Sequence, residues 1–343
     1  MTKRTSTTKD SLRPASEDKQ QANNEQSKVK PILRGSPLSR RGFLKILAAV
    51  GVTAVIAGWG ISRTKLMWQI GEFQALASLG SKAQKADNEA YAGSEVKLTF
   101  GDDPQQYALV FPPLGTVPRR DSIVFFEYGG GWNMGNPALY RFIGRFFASL
   151  GFPTILGGYR LVPSYHFPSQ LEDSAMSLQV GMEYLMKNDA PVTKIILGGH
   201  SAGAQLVSLL AYDPKIMAAA RPLVSGLVSM SGPLDFSFCR SGQIRSLLDA
   251  YLGDLSNRED ADPIAYASPD IPISVLCLHG AQDPIINSEN SRSFVNKLNQ
   301  SAIHRAELQI LPNRYHSDML NMFLEMSDET KILTDWLENV DKV

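Results

Sequence analysis

Cysteine is almost absent: Cys239 and Cys277 are the only two in 343 residues. One pair is too few for a disulfide scaffold, and the two form no metal-ligand spacing. Low-complexity tracts and internal periods are missing too, which excludes repeat architectures. Net charge is absent as well, since 34 Lys and Arg balance 34 Asp and Glu. The balance is uneven along the chain. Through Lys45 there are 11 basic against 4 acidic residues, and beyond it 23 against 30. The basic excess belongs to the N-terminal tail, so charge gives no argument for nucleic-acid binding by the remainder. The apolar run 46–61 has 16 residues, short of the ~20 that span a bilayer comfortably.

What is present divides the chain into four parts. Residues 1–38 are polar and nearly free of large apolar side chains, and the reading is a disordered basic tail. Ser39-Arg40-Arg41-Gly42-Phe43-Leu44-Lys45 then looks like a twin-arginine export signal followed by its apolar stretch, so 39–61 is an export address read by the twin-arginine translocation machinery. The expected location is the far side of the bacterial cytoplasmic membrane. Val55-Ile56-Ala57 is a weak cleavage site, and Trp59, Trp68, Arg63 and Lys65 suit an interface. The segment is therefore either removed or retained as a membrane anchor through 46–61. Residues 62–93 read as a stalk or helical lead-in, and 94–343 as the main domain.

Within 94–343 strands alternate with helices. Val96–Phe100 and Tyr107–Phe111 read as strands, and Ser122–Phe126 as a strand buried on both faces. Pro137 opens a helix carrying Leu139, Phe142, Ile143, Phe146, Phe147 and Leu150. A strand at Pro153–Leu156, a helix from about Gln170 to Met186, and strands near 195–197, 226–230, 273–278 and 307–311 follow. The pattern predicts an α/β fold: about eight strands, mostly parallel after an antiparallel start, covered by helices on both faces. Residues 236–265 lack strand signals and read as a helical insert over the sheet's carboxyl end.

Chemistry concentrates in three places. Gly199-His200-Ser201-Ala202-Gly203 fits the G-x-S-x-G nucleophile elbow, with the apolar run Ile195–Leu197 cut off by Gly198-Gly199 and an apolar helical pattern starting at Ala204. A serine at the tip of such a turn holds poor backbone angles, and glycines two residues away let strand and helix approach. Glu127-Tyr128-Gly129-Gly130-Gly131-Trp132-Asn133 follows a buried strand, and its glycines free backbone N–H groups to point into one space. After Ser201 come a carboxylate past a strand, Asp283, and a histidine between the last strand and last helix, His316. Asp262, Asp270 and Asp318 lie outside strand-end loops and read as solvated charges. His200 is expected to point away from the nucleophile and His279 to pack at a strand end, while His166 and His304 lie in a loop and a polar segment.

These motifs resemble the α/β-hydrolases of the hormone-sensitive-lipase-like and BD-FAE-like carboxylesterase group. The resemblance implies an α/β-hydrolase fold and a catalytic triad of Ser201, Asp283 and His316. It also implies an oxyanion hole made by the N–H groups of Gly130, Gly131 and Ala202. Tyr128 stands where that group has a histidine bracing the loop, so a tyrosine hydroxyl is expected to take over the bracing. Tyr159-Arg160-Leu161-Val162-Pro163 with Phe167-Pro168 and Asp173 matches a further stretch, with Arg160 and Asp173 in a structural role.

The expected function is hydrolysis of a small carboxylic ester through an acyl-enzyme, with no cofactor, metal or nucleic acid involved. Amide or formamide hydrolysis, acetyl-sugar hydrolysis, a non-catalytic binding role on the same scaffold, and a membrane-tethered enzyme acting on lipid esters are the alternatives. Ile244, Leu247, Leu248, Tyr251 and Leu252 of the insert either line an acyl pocket or, the blander reading, pack it onto the core.

Overall fold

The structure is a computed structural model and describes residues 63–89, 92–188, 192–216, 220–240, 242–301 and 306–342. The tail, the twin-arginine motif, the apolar run 46–61 and His304 lie outside the described residues. Among the described residues no helix is long and apolar enough to cross a membrane.

The strands are β1 (Val96–Thr99), β2 (Tyr107–Phe111), β3 (Ser122–Glu127), β4 (Thr154–Gly157), β5 (Lys194–His200), β6 (Val224–Met230), β7 (Ser274–Gly280) and β8 (Ala306–Leu311). They form one eight-stranded sheet in the order β1-β2-β4-β3-β5-β6-β7-β8. β1 and β2 pair antiparallel, as do β2 and β4, and every later pairing is parallel. This is the antiparallel start and parallel body that the strand pattern predicts. β3 is buried at all six positions and β2 at all five, as strands covered on both faces must be.

The helices are α1 (Arg63–Asn88), α2 (Arg141–Ser149), α3 (Ser169–Asn188), α4 (Ala202–Tyr212), α5 (Gly242–Leu252), α6 (Pro263–Tyr266), α7 (Glu289–Leu298) and α8 (Asp328–Lys342). Two apolar cores result. One joins Ile195, Leu197 and Leu227 of the sheet to Leu178, Leu206 and Phe294 of α3, α4 and α7. The other joins Val124, Ile196 and Leu276 to Phe142, Phe147, Leu333 and Trp336 of α2 and α8. Cys239 and Cys277 are both free and buried.

Two expectations need correction. The strand before Ser201 does not stop at the paired glycines. Gly198 and Gly199 keep their register with Phe126 and Glu127 on one side and Val228 and Ser229 on the other, so β5 runs to His200. The helix opened by Pro137 is split. Asn136 Oδ1 accepts from the Leu139 N–H at 3.2 Å and caps a 3-10 turn over Pro137–Tyr140, and α2 begins at Arg141. Of the two readings of the lead-in segment, stalk or helical lead-in, the described part is a helix over Arg63–Asn88. α1 packs on the domain: Leu79 is buried, Lys82 pairs with Glu325 at 2.9 Å, and Arg145 Nη1 donates to the Ala86 carbonyl at 2.8 Å.

Candidate active site

Ser201 stands between β5 and α4 with φ 54° and ψ −121°, a conformation L residues rarely hold. Two glycines make that turn possible. A Cβ on Gly199 meets Gly203 backbone at 2.6 Å, and a Cβ on Gly203 meets the Glu127 carbonyl carbon and Tyr128 oxygen at 2.5 Å. Helix, strand and the end of β3 therefore touch through bare backbone. The Ser201 N–H is tied to the Met230 carbonyl at 2.9 Å, and the Ser201 carbonyl accepts from Ala204 and Gln205.

The glycine loop after β3 lies directly against this elbow. A Cβ on Gly129 comes within 3.0 Å of the Ser201 Cβ. Gly130 and Gly131 have φ of 149° and 58°, and Trp132 also has φ 58°. The Gly130 carbonyl accepts from the N–H groups of Asn133 and Met134, which closes the loop into a tight turn. Among the described residues no backbone carbonyl takes the N–H of Gly130, Gly131 or Ala202. Those of Gly130 and Gly131 belong to the loop against Ser201, and that of Ala202 opens α4.

Aromatic residues brace this loop. Tyr128 and Tyr159 stack with centroids 4.4 Å apart and exchange hydrogen bonds. The Tyr128 hydroxyl donates to the Tyr159 carbonyl at 3.4 Å, and the Tyr159 hydroxyl to the Tyr128 carbonyl at 3.2 Å. The Tyr140 hydroxyl donates to the Gly129 carbonyl at 3.1 Å. Trp132 Nε1 donates to Gln205 Oε1 at 3.1 Å, and its ring stacks on Tyr251 of α5 at 4.3 Å. Tyr128 thus braces the loop both through its hydroxyl and through ring stacking on Tyr159. Arg160 and Asp173 pair at 2.7 Å, with Gln106 also donating to Asp173, in the structural role expected of them.

Asp283 and His316 come together beside the elbow. His316 Nδ1 donates to Asp283 Oδ2 at 2.7 Å. The other oxygen, Oδ1, accepts from the Ile285 and Ile286 N–H groups at 2.8 Å each. Burial alone pushes the Asp283 carboxyl up, but His316 and His279, by charge and hydrogen bond, hold it well below the usual carboxylate range. Burial likewise pushes His316 down, and the Asp283 charge and hydrogen bond outweigh it and raise it. The His316 carbonyl accepts from His200 Nε2 at 3.0 Å, and the two rings lie 4.8 Å apart. His200 itself is lowered to about 3 by burial, so it stays neutral and structural.

Sequence reasoning missed two members of this neighbourhood. His279 is packed as expected, with Nδ1 accepting from Ser291 Oγ and Nε2 donating to the Ile286 carbonyl, yet it also lies 3.4 Å from Asp283 Oδ2. Its place four residues before Asp283 is a signal that was available. Glu72 of α1 was not legible at all. Its carboxylate accepts from the Ser317 N–H at 3.1 Å and from the Ser317 hydroxyl, next to His316. The rival aspartates also differ from expectation. Asp262 and Asp318 are half-buried and accept backbone N–H groups, from Phe236 at 3.0 Å and Tyr315 at 2.7 Å, while Asp270 is exposed. His166 accepts no role near the elbow; its Nδ1 donates to the Ala250 carbonyl at 2.8 Å.

The insert meets the glycine loop, Leu247 at Gly131 and Tyr251 at Trp132. Ile244, Leu248, Tyr251 and Leu252 are buried in the core, so the packing reading holds for them. Leu247 alone of the five is half-buried, and a Cβ on Gly131 meets it at 3.0 Å. Among the described residues no group of three His, Cys, Asp or Glu is arranged to hold a metal ion.

The strand order, the strained serine turn and the glycine loop after β3 define an α/β-hydrolase. The BD-FAE family model matches residues 112–298, more than half of the chain, and the chain belongs to that family. It is similar to Esterase LipC of Mycobacterium tuberculosis (strain ATCC 25618 / H37Rv), 25% identical over 233 residues, covering 63% of this chain and 57% of that one. Rabbit (Oryctolagus cuniculus) Arylacetamide deacetylase is 34% identical over 107 residues, 28% of this chain and 27% of that one. The chain thus spans little more than half the length of the first of these relatives and about a quarter of the second. Among solved structures, Esterase B from Lactobacillus Rhamnosis (HN001) superposes with a TM-score of 0.65 at 18% identity, covering 88% of this chain and 96% of that chain.

Proposed function

We propose that the protein is a serine carboxylesterase and that Ser201, His316 and Asp283 are its triad. Ser201 Oγ attacks the ester carbonyl while His316 Nε2 takes its proton. Asp283, bonded to Nδ1, fixes the tautomer and stabilises the imidazolium. The N–H groups of Gly130, Gly131 and Ala202 receive the oxyanion. The tetrahedral intermediate collapses, the alcohol leaves with the proton held by His316, and Ser201 keeps the acyl group. Water, deprotonated by His316, then releases the acid and restores Ser201.

The observation that carries this reading is the 2.7 Å bond from His316 to Asp283, formed beside a serine at φ 54°. Family membership and the esterase relatives support it. The test is turnover of p-nitrophenyl esters of increasing acyl length beside matched anilides. Ester turnover that falls by roughly three orders of magnitude or more in a folded His316→Ala variant is expected. Anilide turnover exceeding that of the esters overturns the assignment. Leu247 over Gly131 is the side chain of the insert proposed to meet the acyl group.

We also propose that 39–61 sends the folded domain across the cytoplasmic membrane by the twin-arginine route, the support being the complete S-R-R-x-F-L-K match. Fractionation of cells carrying the Arg40→Lys, Arg41→Lys double variant tests it. Export unchanged by the substitution rules the route out, and the mass of the exported chain distinguishes cleavage from anchoring.

A further inference from the structure

α1 carries no motif, yet it delivers a carboxylate to the loop that holds the proposed base. Glu72 is 3% exposed. Both of its oxygens lie 3.1 Å from the Ser317 N–H, and Oε1 also accepts from the Ser317 hydroxyl. The helix is seated there by close contact: any side chain at Gly71 runs into the ring of Tyr315. α1 thus holds residues 315 and 317 on either side of His316 in the chain, while His200 holds the His316 carbonyl.

We infer that Glu72 is a positioning residue for His316: it fixes the loop through Ser317 and sets a second negative charge against the imidazolium formed during turnover. The inference rests on the assignment of His316 as base. Burying a carboxylate is unfavourable, and a serine or amide side chain also satisfies two donors from Ser317. A carboxylate gains over them only where a positive charge arises nearby, and the imidazolium of His316 is that charge. The groups around the imidazole are Asp283 and His279 from β7 and the loop after it, His200 at the end of β5, Asp318 from its own segment, and Glu72 from α1. Burial raises Glu72 to about 7, with His316 pulling it back, so its charge is held largely by that neighbour.

The test uses the full chain and an ester whose turnover is set by acylation. Glu72→Ala lowers kcat about tenfold and leaves KM within about twofold, the pattern of a misplaced reacting group. Glu72→Gln keeps an acceptor for Ser317 and recovers at least about a third of the wild-type kcat. It lacks the charge, so the rising limb of kcat/KM against pH moves to lower pH. Lys82→Ala, which breaks only the exposed pair between α1 and Glu325, leaves both unchanged. A limb unmoved in Glu72→Gln, or one moved equally by Lys82→Ala, overturns the inference. If Glu72→Ala does not fold, the limb in the near-isosteric Gln variant still decides. Ser201→Ala is measured alongside: turnover retained there defeats the triad assignment instead, whereas an inactive Ser201→Ala with an unmoved limb defeats only the role of Glu72.

Discussion

His316 Nδ1 and Asp283 Oδ2 lie 2.7 Å apart with both side chains buried, and the second Asp283 oxygen is saturated by the N–H groups of Ile285 and Ile286. The carboxylate is thus fixed by its own loop before it meets the imidazole. Asp283→Asn keeps the shape but presents an amide to a nitrogen that must donate. A loss of about three to four orders of magnitude in kcat, with the unfolding midpoint little changed, is the expected result on a p-nitrophenyl ester.

On the proposed mechanism the same pair sets the pH dependence. His316, as the proposed base, works only when neutral, and Asp283 raises its proton affinity beyond what burial removes. The rising limb of kcat/KM therefore has its midpoint above the about 6.5 of a free imidazole. A midpoint well below that value, measured over pH 5 to 9, contradicts the assignment.

Glu127 gives an independent prediction on stability. It is wholly buried where β3 ends, accepts from Ser174 Oγ at 2.8 Å, and is raised by desolvation to about 8. Its folded state holds a proton that the unfolded chain releases near the ordinary carboxyl value, so the contribution of this group to stability falls as pH rises from about 4.5 to about 8. Glu127→Gln removes that dependence. Thermal unfolding midpoints of variant and wild type should shift in favour of the variant across this window, and a constant difference is the contrary result.

At the elbow the space is already full. Gly203→Ala drives a methyl into the carbonyls of Glu127 and Tyr128, which costs about 2 kcal/mol or more and displaces Ser201. Gly115→Ala meets no atom within 4 Å and should stay within about 0.5 kcal/mol of wild type. Denaturant titration of the two variants compares them directly.

The sheet was legible because strands covered on both faces, such as β3 and β7, appear as unbroken apolar runs, and Ser201, Asp283 and His316 follow strand ends in a readable order. Other features were hidden for physical reasons. Glycine carries no side-chain pattern, so Gly198 and Gly199 read as a turn although their backbones continue the pairing of β5. Ring stacking of Tyr128 on Tyr159 joins residues 31 positions apart and leaves no local periodicity. Glu72 meets Ser317 across 245 positions, a contact that only the docking of α1 creates.

The central claim is that Ser201 is the nucleophile. Reaction with a fluorophosphonate followed by peptide mass mapping tests it most directly. The account predicts one adduct, on Ser201, formed in step with loss of esterase activity and absent from a folded Ser201→Ala protein that no longer turns over ester. An adduct on another residue, or a folded Ser201→Ala protein that hydrolyses the ester at the wild-type rate, contradicts it.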